Sequence, residues 1–419
     1  MLRRRALIAL PALLAARAAP AQSGGWTFAG GIGTRPGGPL LETLTDAAGA
    51  FPRADRGNWF RQSHAVDGYS RTGEILPSRR VARPPSAMPF RHASTEPSIT
   101  YDGIAAFGGG RHSLDGFMDR NPTTGLVVVR DDTILLERYQ YARTPAHRFI
   151  SFSMAKTLTA LLIGMAQAQG AIGSLDAPAE AHSPALAGSE YGRTPLRHLL
   201  TMSSGVRFRE EYDGNDDIAR LARAAFAGPG GAAAATQFND RIAPPGERFY
   251  YASAETFVLA LVLRGALGRP IADFTTEMLW TGIGAESDAT WLIDRAGNEV
   301  GYTGFNATLR DFARLGLLLA RGGTAGGRQI VPERWVAEMT REHVAPSRMP
   351  GRASFGYGYQ TWTLPGGSGF ALLGVRGQAI YVDPRSRLVM AHTAVRPNSR
   401  DPGAAETYAL WRGLRRSLG

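Results

Sequence analysis

Ser153 and Lys156 stand three residues apart in the run Phe-Ile-Ser-Phe-Ser-Met-Ala-Lys, and together they could perform nucleophilic catalysis. Lys156 is the only lysine among the chain's 47 basic residues; all the others are arginine. An arginine guanidinium stays charged at any working pH, whereas a buried ammonium can lose its proton and act as a general base. The single lysine therefore indicates a proton acceptor beside a serine nucleophile.

Apolar residues at helical spacing follow this pair and predict a helix from about Ser153 to Gln169, ended by Gly170. They lie on most faces of the helix, so we expect it to be buried. Ser153 then lies at the helix N-terminus, where free backbone N–H groups favour negative charge, with Lys156 on the same face. The alternative, a serine near a helix start followed by a solvated lysine, fits these apolar surroundings poorly.

A second candidate group is the tyrosine pair in the run Pro-Pro-Gly-Glu-Arg-Phe-Tyr-Tyr-Ala-Ser, residues 244–253. The Pro-Gly turn presents both phenols just before a predicted helix near 253–266. A phenol beside a lysine could carry a proton to a leaving group, and Tyr251 is the candidate. The alternative is a tyrosine that packs under the turn, and this part of the sequence leaves both interpretations open.

The elements around these residues predict an α+β fold. Residues 125–130 and 133–141 are apolar, β-branched runs joined at Asp131-Asp132, which is typical of a hairpin. An antiparallel sheet, interrupted by a mainly helical subdomain at about 160–320, follows from two early and three late strands. The further predicted elements are helices near 216–227, 253–266 and 308–321, strands at 369–374, 378–383 and 387–394, and a closing helix at about 404–417.

The first hundred residues differ from the rest. Residues 1–21 read as an export signal, with a basic start at Arg3, a short apolar stretch and a small-x-small cleavage site ending at Ala21, so a periplasmic or secreted protein is expected. Residues 22–100 are dense in Gly and Pro and predict a partly ordered arm without evident chemistry, which Trp59 and Phe60 could pin to a core. Residues 101–419 form the regular domain.

Composition excludes several other classes of protein. The chain has 419 residues, a formal charge of +11 and no cysteine, so disulfides and thiolate chemistry are excluded. The arginines form no dense patch with interleaved aromatics, and no later apolar run is long enough to span a bilayer, so neither nucleic acid nor stable membrane insertion is expected. His-Glu-x-x-His, Gly-x-Ser-x-Gly and phosphate-binding loops are absent, and we expect neither a metal nor a cofactor.

The ordered set of motifs resembles the serine hydrolases built on the penicillin-binding fold, which include class C β-lactamases and related esterases. Within that group it is most similar to the 6-aminohexanoate-dimer (nylon-oligomer) hydrolase branch, over roughly 101–419. The resemblance implies a β-lactamase/transpeptidase-like fold, with a sheet of five or more antiparallel strands flanked by N- and C-terminal helices. The matching residues are Ser153-Met-Ala-Lys156, Leu199-Leu-Thr-Met-Ser-Ser-Gly205-Val, Glu211-Tyr212, Tyr251-Ala-Ser253, Asn306-Ala-Thr-Leu-Arg-Asp311-Phe-Ala-Arg314, Phe355-Gly-Tyr-Gly-Tyr359 and Gly374-Val-Arg-Gly-Gln378.

The resemblance also implies catalytic roles. Ser153 would attack a carbonyl and form an acyl-enzyme, and Lys156 would take its proton. Tyr251 would bond to Lys156 and protonate the leaving atom. The backbone N–H groups of Ser153 and Val375 would form the oxyanion hole, and Tyr212, on a mobile loop, would close on the substrate.

Ser253 and Asn306 would line the cleft, although Asn306 could equally cap the helix that follows it. Ser253 stands where β-lactamases carry an asparagine, and Val375-Arg376-Gly377 replaces their Lys-Thr-Gly, so efficient β-lactam hydrolysis is not expected. Arg376 could still supply positive charge for a substrate carboxylate, or it could face solvent.

The sequence thus predicts an exported, cofactor-free serine hydrolase that cleaves small linear amides. A carboxylesterase, or a weak β-lactamase or D,D-peptidase, is the alternative within the same chemistry. A low-turnover binding protein on the same fold is the alternative from another class. The expected partner is a small amide or ester, and the sequence does not predict an oligomeric state.

Overall fold

A computed structural model describes residues 25–344 and 355–419. The predicted export signal, residues 1–21, lies outside these ranges. The α-helices are α1 (Leu41–Leu44), α2 (Ala65–Ile75), α3 (Leu114–Arg120), α4 (Ala155–Ala168), α5 (Leu196–Leu200), α6 (Asp217–Phe226), α7 (Gly231–Thr236), α8 (Ser253–Leu267), α9 (Ile271–Phe274), α10 (Leu309–Ala320), α11 (Glu333–Met339) and α12 (Gly403–Leu418).

The strands are short in the first hundred residues and longest in the hairpin and near the C-terminus. They are β1 (Thr27–Ala29), β2 (Ile32–Thr34), β3 (Ser78–Val81), β4 (Arg91–His92), β5 (Thr100–Asp102), β6 (Arg111–Ser113), β7 (Thr123–Arg130), β8 (Thr133–Tyr139), β9 (Arg148–Ile150), β10 (Ala289–Leu292), β11 (Phe305–Thr308), β12 (Thr324–Ala325), β13 (Arg328–Gln329), β14 (Gly356–Tyr357), β15 (Trp362–Thr363), β16 (Phe370–Gly374), β17 (Gln378–Asp383) and β18 (Leu388–Ala394).

The main sheet confirms the predicted pairing of early and late strands. Its order is β1-β2-β8-β7-β18-β17-β16-β15-β14, and β7 pairs antiparallel with both β8 and β18. Alternate residues of β7 enter different cores, Val127 with α10 on one face and Leu126 with α12 on the other. Helices therefore cover both faces of the sheet, as the α+β prediction requires.

Residues 25–100 contribute strands to both main sheets, whereas the sequence predicted a partly ordered arm. β2 and β4 pair with β8, and both pairings are parallel, so the sheet is not wholly antiparallel. β3 joins a second sheet in the order β3-β10-β11-β9, which lies partly within the stretch predicted as mainly helical. Single-sequence patterns miss such short strands because two to four residues are too few to show a period.

The helix predicted after the serine is present and buried. A 3-10 turn, Phe152–Met154, precedes α4, in which residues 155–166 are all buried. Helix α11 packs closely against α4 at Gly164, where a Cβ would lie 2.3 Å from the Trp335 ring of α11. Gly170, at φ 80°, follows the last turn, so the predicted stop is also confirmed.

Candidate active site

The serine lies on a turn that the second sheet holds in place. β9 leads into Ser151, whose N–H donates to the carbonyl of Phe305 at 2.8 Å. Phe152 follows with a φ of 42°, a left-handed conformation that is costly for a side chain of this size. The backbone then enters the 3-10 turn, which places Ser153, partly exposed, at the start of a helix.

Lys156 lies one turn further and reaches back to the serine. Its Nζ donates to Ser153 Oγ at 2.9 Å and to the carbonyl oxygen of Tyr302 at 3.1 Å. The side chain is buried, with 1% of its surface exposed. The structure thus brings together the two residues whose spacing defined the prediction.

Burial lowers the pKa of Lys156 from its usual 10.5 to about 8, and the carboxylate of Glu210 opposes that shift. The ammonium also lies 5.1 Å from the ring centroid of Tyr251 and 5.6 Å from that of Tyr302, contacts that favour the charged form. A pKa near 8 leaves roughly a tenth of the lysines neutral at pH 7. A fraction of the Lys156 side chains is therefore neutral, and able to accept a proton, at neutral pH.

The Tyr302 carbonyl reaches Lys156 because the backbone before it packs tightly. Thr159 Oγ1 donates to the carbonyl of Gly301 at 2.9 Å. A Cβ on Gly301 would lie 2.7 Å from Thr159 Oγ1 and 2.8 Å from Ala260 Cβ, so only glycine fits there. No sequence pattern had indicated this acceptor, since any residue supplies a carbonyl.

Tyr251 is fixed by aromatic packing against the sheet edge. Its ring stacks on Trp362 at 5.7 Å and meets Tyr357 edge-on at 6.1 Å. A backbone hydrogen bond fixes the loop that carries Tyr251, because the N–H of Tyr250 donates to the carbonyl of Met202 at 2.7 Å. The phenol ring therefore lies beside Lys156, with the Nζ 5.1 Å from its centroid, and its predicted role in proton transfer stays a prediction.

Glu210 is the residue of the site that the sequence analysis missed. Its carboxylate accepts from the N–H and the Oγ of Ser253, each at 2.8 Å, and from the hydroxyl of Tyr212 at 2.6 Å. The start of α8 also favours a carboxylate there. Two consecutive glutamates just before Tyr212 were the available signal, but only Glu211 had been matched.

Tyr212 lies at the rim of the site, where 36% of its surface is exposed. Its backbone is left-handed, with a φ of 61°, and its N–H donates to Asp216 Oδ2 at 2.5 Å. The same carboxylate accepts from the N–H of Glu211 at 2.7 Å. The loop therefore has a defined turn in this conformation, with its aromatic ring at the mouth of the cavity.

Val375 directly follows the end of β16, beside the nucleophile turn. The approach is close at Gly374, where a Cβ would lie 2.5 Å from the carbonyl oxygen of Ser151 and 3.2 Å from Phe152 Cβ. Val375 and Ser153 both line the cavity. An oxyanion hole formed by their two backbone N–H groups stays a prediction.

Arg376 neither faces solvent freely nor lies open to a substrate carboxylate. Its guanidinium donates to the Oε1 of Gln62 at 3.2 Å and to the carbonyls of Arg396 and Pro397, the first at 3.1 Å. It also lies over the ring of Phe60 at 4.7 Å. The side chain borders the cavity but is engaged by the protein.

Two predicted cleft residues lie behind the cavity wall. Ser253 is 1% exposed and its hydroxyl is bound to Glu210. Asn306 lies in β11, and its amide donates to Thr290 Oγ1 at 3.2 Å. The helix-cap alternative for Asn306 was wrong, because Thr308 caps α10 through a bond from the N–H of Asp311.

A cavity of about 450 Å³ runs from Ser153 towards the N-terminus of α12. Its lining carries both signs of charge, with acidic Glu210, Glu211 and Asp401 and basic Arg376, Arg396 and Arg400. Aromatic side chains also line it, among them Phe355, Tyr381 and Tyr408.

Within the described ranges no group of three His, Asp or Glu side chains could hold a metal ion. A search of the same ranges also finds no helix long and apolar enough to cross a membrane.

Comparison with known proteins identifies relatives of this fold. The chain is 26% identical over 380 residues to the 6-aminohexanoate-dimer hydrolase of Paenarthrobacter ureafaciens, covering 88% of this chain and 93% of that one. A solved Bacillus anthracis structure assigned the same name superposes with a TM-score of 0.75 at 24% identity, over 87% and 97% of the two chains. EstCE1, a hydrolase with promiscuous acyltransferase activity, shares the fold at a TM-score of 0.59 and 17% identity, over 73% and 96%.

The sequence profile of the Beta-lactamase family matches residues 111–414, which is well over half of the chain. The match includes the serine–lysine turn, the tyrosine loop and the sheet edge described above. The chain therefore belongs to the β-lactamase family and is a hydrolase of the serine type.

Proposed function

We propose that the protein is an amidase that cleaves small linear amides through an acyl-enzyme on Ser153. The observation that carries this is the 2.9 Å hydrogen bond between Lys156 Nζ and Ser153 Oγ, made by a buried lysine whose pKa is lowered to about 8. A nucleophile and an adjacent base of matched pKa are what acyl transfer at neutral pH requires.

In the first half-reaction, Ser153 Oγ bonds to the substrate carbonyl carbon as its proton passes to Lys156. The oxyanion that forms accepts hydrogen bonds from the N–H groups of Ser153 and Val375. The carbon–nitrogen bond then breaks, and the amine leaves with a proton delivered through Tyr251. The products are an ester on Ser153 and a free amine.

In the second half-reaction, water attacks the ester carbonyl and gives one proton to the base formed by Lys156 and Tyr251. The serine leaves as the alkoxide, regains a proton and releases the carboxylic acid. The same groups thus act in both directions, as the reversibility of proton transfer requires. Water is the one reactant needed besides the chain and the amide.

A linear, zwitterionic amide fits the cavity best. Its lining offers the carboxylates of Glu210 and Glu211 to a substrate amine and the guanidinium of Arg400 to a substrate carboxylate. The relative from Paenarthrobacter ureafaciens is named for a linear amide dimer of this kind. Both observations support a linear amide over a bulky bicyclic substrate.

A carboxylesterase is the second candidate, because the hydroxyl of Tyr212 donates to Glu210 in this conformation. With that hydroxyl engaged, a leaving amine would depend on Tyr251 alone, whereas an ester's better leaving group needs less help. If the loop instead closes so that the Tyr212 hydroxyl reaches the leaving amine, Tyr212→Phe should lower amide turnover more than ester turnover. Equal losses would contradict a leaving-group role for Tyr212.

The test of the proposal is kcat/KM for a linear amide, its matched ester and a chromogenic β-lactam, with wild type and Ser153→Ala. We expect turnover of the amide and the ester, weak β-lactam hydrolysis and none of these with the variant. Ester turnover without amide turnover would favour the carboxylesterase. Labelling of Ser153 without any turnover would favour a binding protein.

We also propose that the protein is exported, from the sequence of residues 1–21. Cell fractionation of the full chain should recover a form shortened after Ala21 outside the cytoplasm. A chain with Leu10→Arg, which interrupts the apolar stretch, should stay uncleaved inside. Wild type retained uncleaved in the cytoplasm would overturn this proposal without touching the catalytic one.

A further inference from the structure

Phe152 is held from one side by three aromatic residues of the first hundred. Trp59 stacks on its ring at 6.4 Å, Phe60 meets it edge-on at 5.9 Å and Tyr69 at 5.1 Å. Phe152 immediately precedes the nucleophile and has a φ of 42°. A strained residue of this kind persists only where its surroundings over-determine its conformation.

Residues 59–69, called here the 59–69 segment, also contact the residue next to Val375, whose backbone N–H is the second donor of the proposed oxyanion hole. Arg376, next to Val375, lies over the ring of Phe60 at 4.7 Å and donates to Gln62 at 3.2 Å. Gln62 in turn donates to the carbonyl of Val395 at 2.6 Å. Arg376 is left-handed as well, with a φ of 63°, so this turn also needs external support.

The contacts of the segment with Phe152 and with Arg376 are linked by one apolar cluster. Phe152 and Tyr69 are buried in a single apolar cluster, against which Trp59 and Val375 also pack. Within the segment, a Cβ on Gly68 of α2 would lie 2.2 Å from the carbonyl oxygen of Trp59, so the helix and the chain before it are in direct contact. A shift of the segment would therefore move Phe152 and Arg376 together.

We propose that the 59–69 segment is a positioning element that sets the separation between the backbone N–H groups of Ser153 and Val375. None of its residues lines the cavity, so they act through Phe152 and Arg376. The family match begins at residue 111, so the segment lies outside the matched part of the chain. The inference rests on the proposed acyl-transfer function.

Two variants test it, each removing the contacts of one side chain. Phe60→Ala removes the ring beneath Arg376 and beside Phe152, and Phe60 is 42% exposed, so the fold should tolerate the loss. Gln62→Met keeps the length of the side chain but removes both of its hydrogen bonds. The matched control is Phe28→Ala, because Phe28 is 58% exposed and also lies under an arginine, Arg138, at 4.3 Å.

The measurement is the ratio of kcat/KM for an ester to that for the corresponding thionoester. Sulfur is larger than oxygen and a weaker hydrogen-bond acceptor, so a well-formed oxyanion hole favours the ester. Misplaced donors should lower the ester rate roughly tenfold while changing the thionoester rate less. A loss of folded enzyme lowers both rates equally and leaves the ratio unchanged.

We expect the ratio to fall several-fold in Phe60→Ala and Gln62→Met and to stay at the wild-type value in Phe28→Ala. Unchanged ratios in both segment variants, with wild type active, would overturn the inference and leave the proposed function standing. An equal fall in Phe28→Ala would overturn it too, since the effect would not be local. Wild type that turns over neither substrate would overturn the function and the inference together.

Discussion

At the scale of single residues, Lys156 is placed where its positive charge is costly. The lowered pKa corresponds to roughly 3 kcal/mol of lost charge stabilisation in the folded state. Lys156→Met should therefore abolish acylation and yet raise the free energy of unfolding by about 1–2 kcal/mol at pH 7, even with its hydrogen bonds lost.

The pH dependence of that stability gain has a definite sign. Between about pH 8 and 10.5 the folded wild type binds fewer protons than its unfolded chain, so its stability rises with pH in this window. The advantage of Lys156→Met should shrink accordingly. Urea unfolding of both proteins at pH 7 and 9.5 measures the difference in their free energies of unfolding. If the variant is less stable than wild type at pH 7, burial of the charged lysine costs little.

Glu210 controls the pH at which this base becomes available. Its carboxylate raises the pKa of Lys156 against the effect of burial. Glu210→Gln should therefore move the rising limb of kcat/KM, expected near pH 8 in wild type, to lower pH. The control is Glu211→Gln, an exposed neighbour on the same loop, and a shift of similar size in the control would show a general charge effect instead.

The sequence made the serine–lysine pair predictable because both lie within one helical turn and only one lysine exists. Tyr251 was predictable as a candidate, since a Pro-Gly turn and a helix start frame it. Ser253 and Asn306 were harder, because their positions in the motifs do not reveal whether a side chain faces the cavity or a neighbour. Glu210 depends on contacts with Ser253, 43 residues away, which no local pattern encodes.

At the scale of elements, the end of β16 must lie directly against the nucleophile turn. Gly374→Ala should disturb it, because φ −124° suits alanine but the added Cβ would lie 2.5 Å from the Ser151 carbonyl. We expect kcat/KM to fall roughly a hundredfold. The control is Gly173→Ala, where no atom lies within 4 Å, and a loss within twofold at Gly374 would contradict the close approach.

Long elements were predictable and short ones were not. The hairpin predicted at 125–130 and 133–141, α4, the three late strands and α12 each show several repeats of their period, and the structure confirms them. β10 and β11, with four residues each, carry too little pattern to be read inside a stretch of helices. The parallel pairing of β2 and β4 with β8 depends on tertiary contacts, which composition does not indicate.

At the scale of the whole molecule, residues 25–100 belong to the body of the protein. β3 pairs with β10 in the sheet whose last strand, β9, leads to the serine. Hydrogen exchange should therefore protect the paired amides of 78–81 about as strongly as those of 289–292. Exchange at the rate of an unstructured peptide would show that the segment opens independently of the sheet.

The central claim is that Ser153 is a nucleophile activated by Lys156. The direct measurement is intact-protein mass after brief incubation with a fluorophosphonate, for wild type, Ser153→Ala and Lys156→Arg. We predict one adduct on wild type, none on Ser153→Ala and greatly slowed labelling of Lys156→Arg, because a guanidinium cannot take the proton. Labelling of Ser153→Ala, or of Lys156→Arg at the wild-type rate, would contradict it.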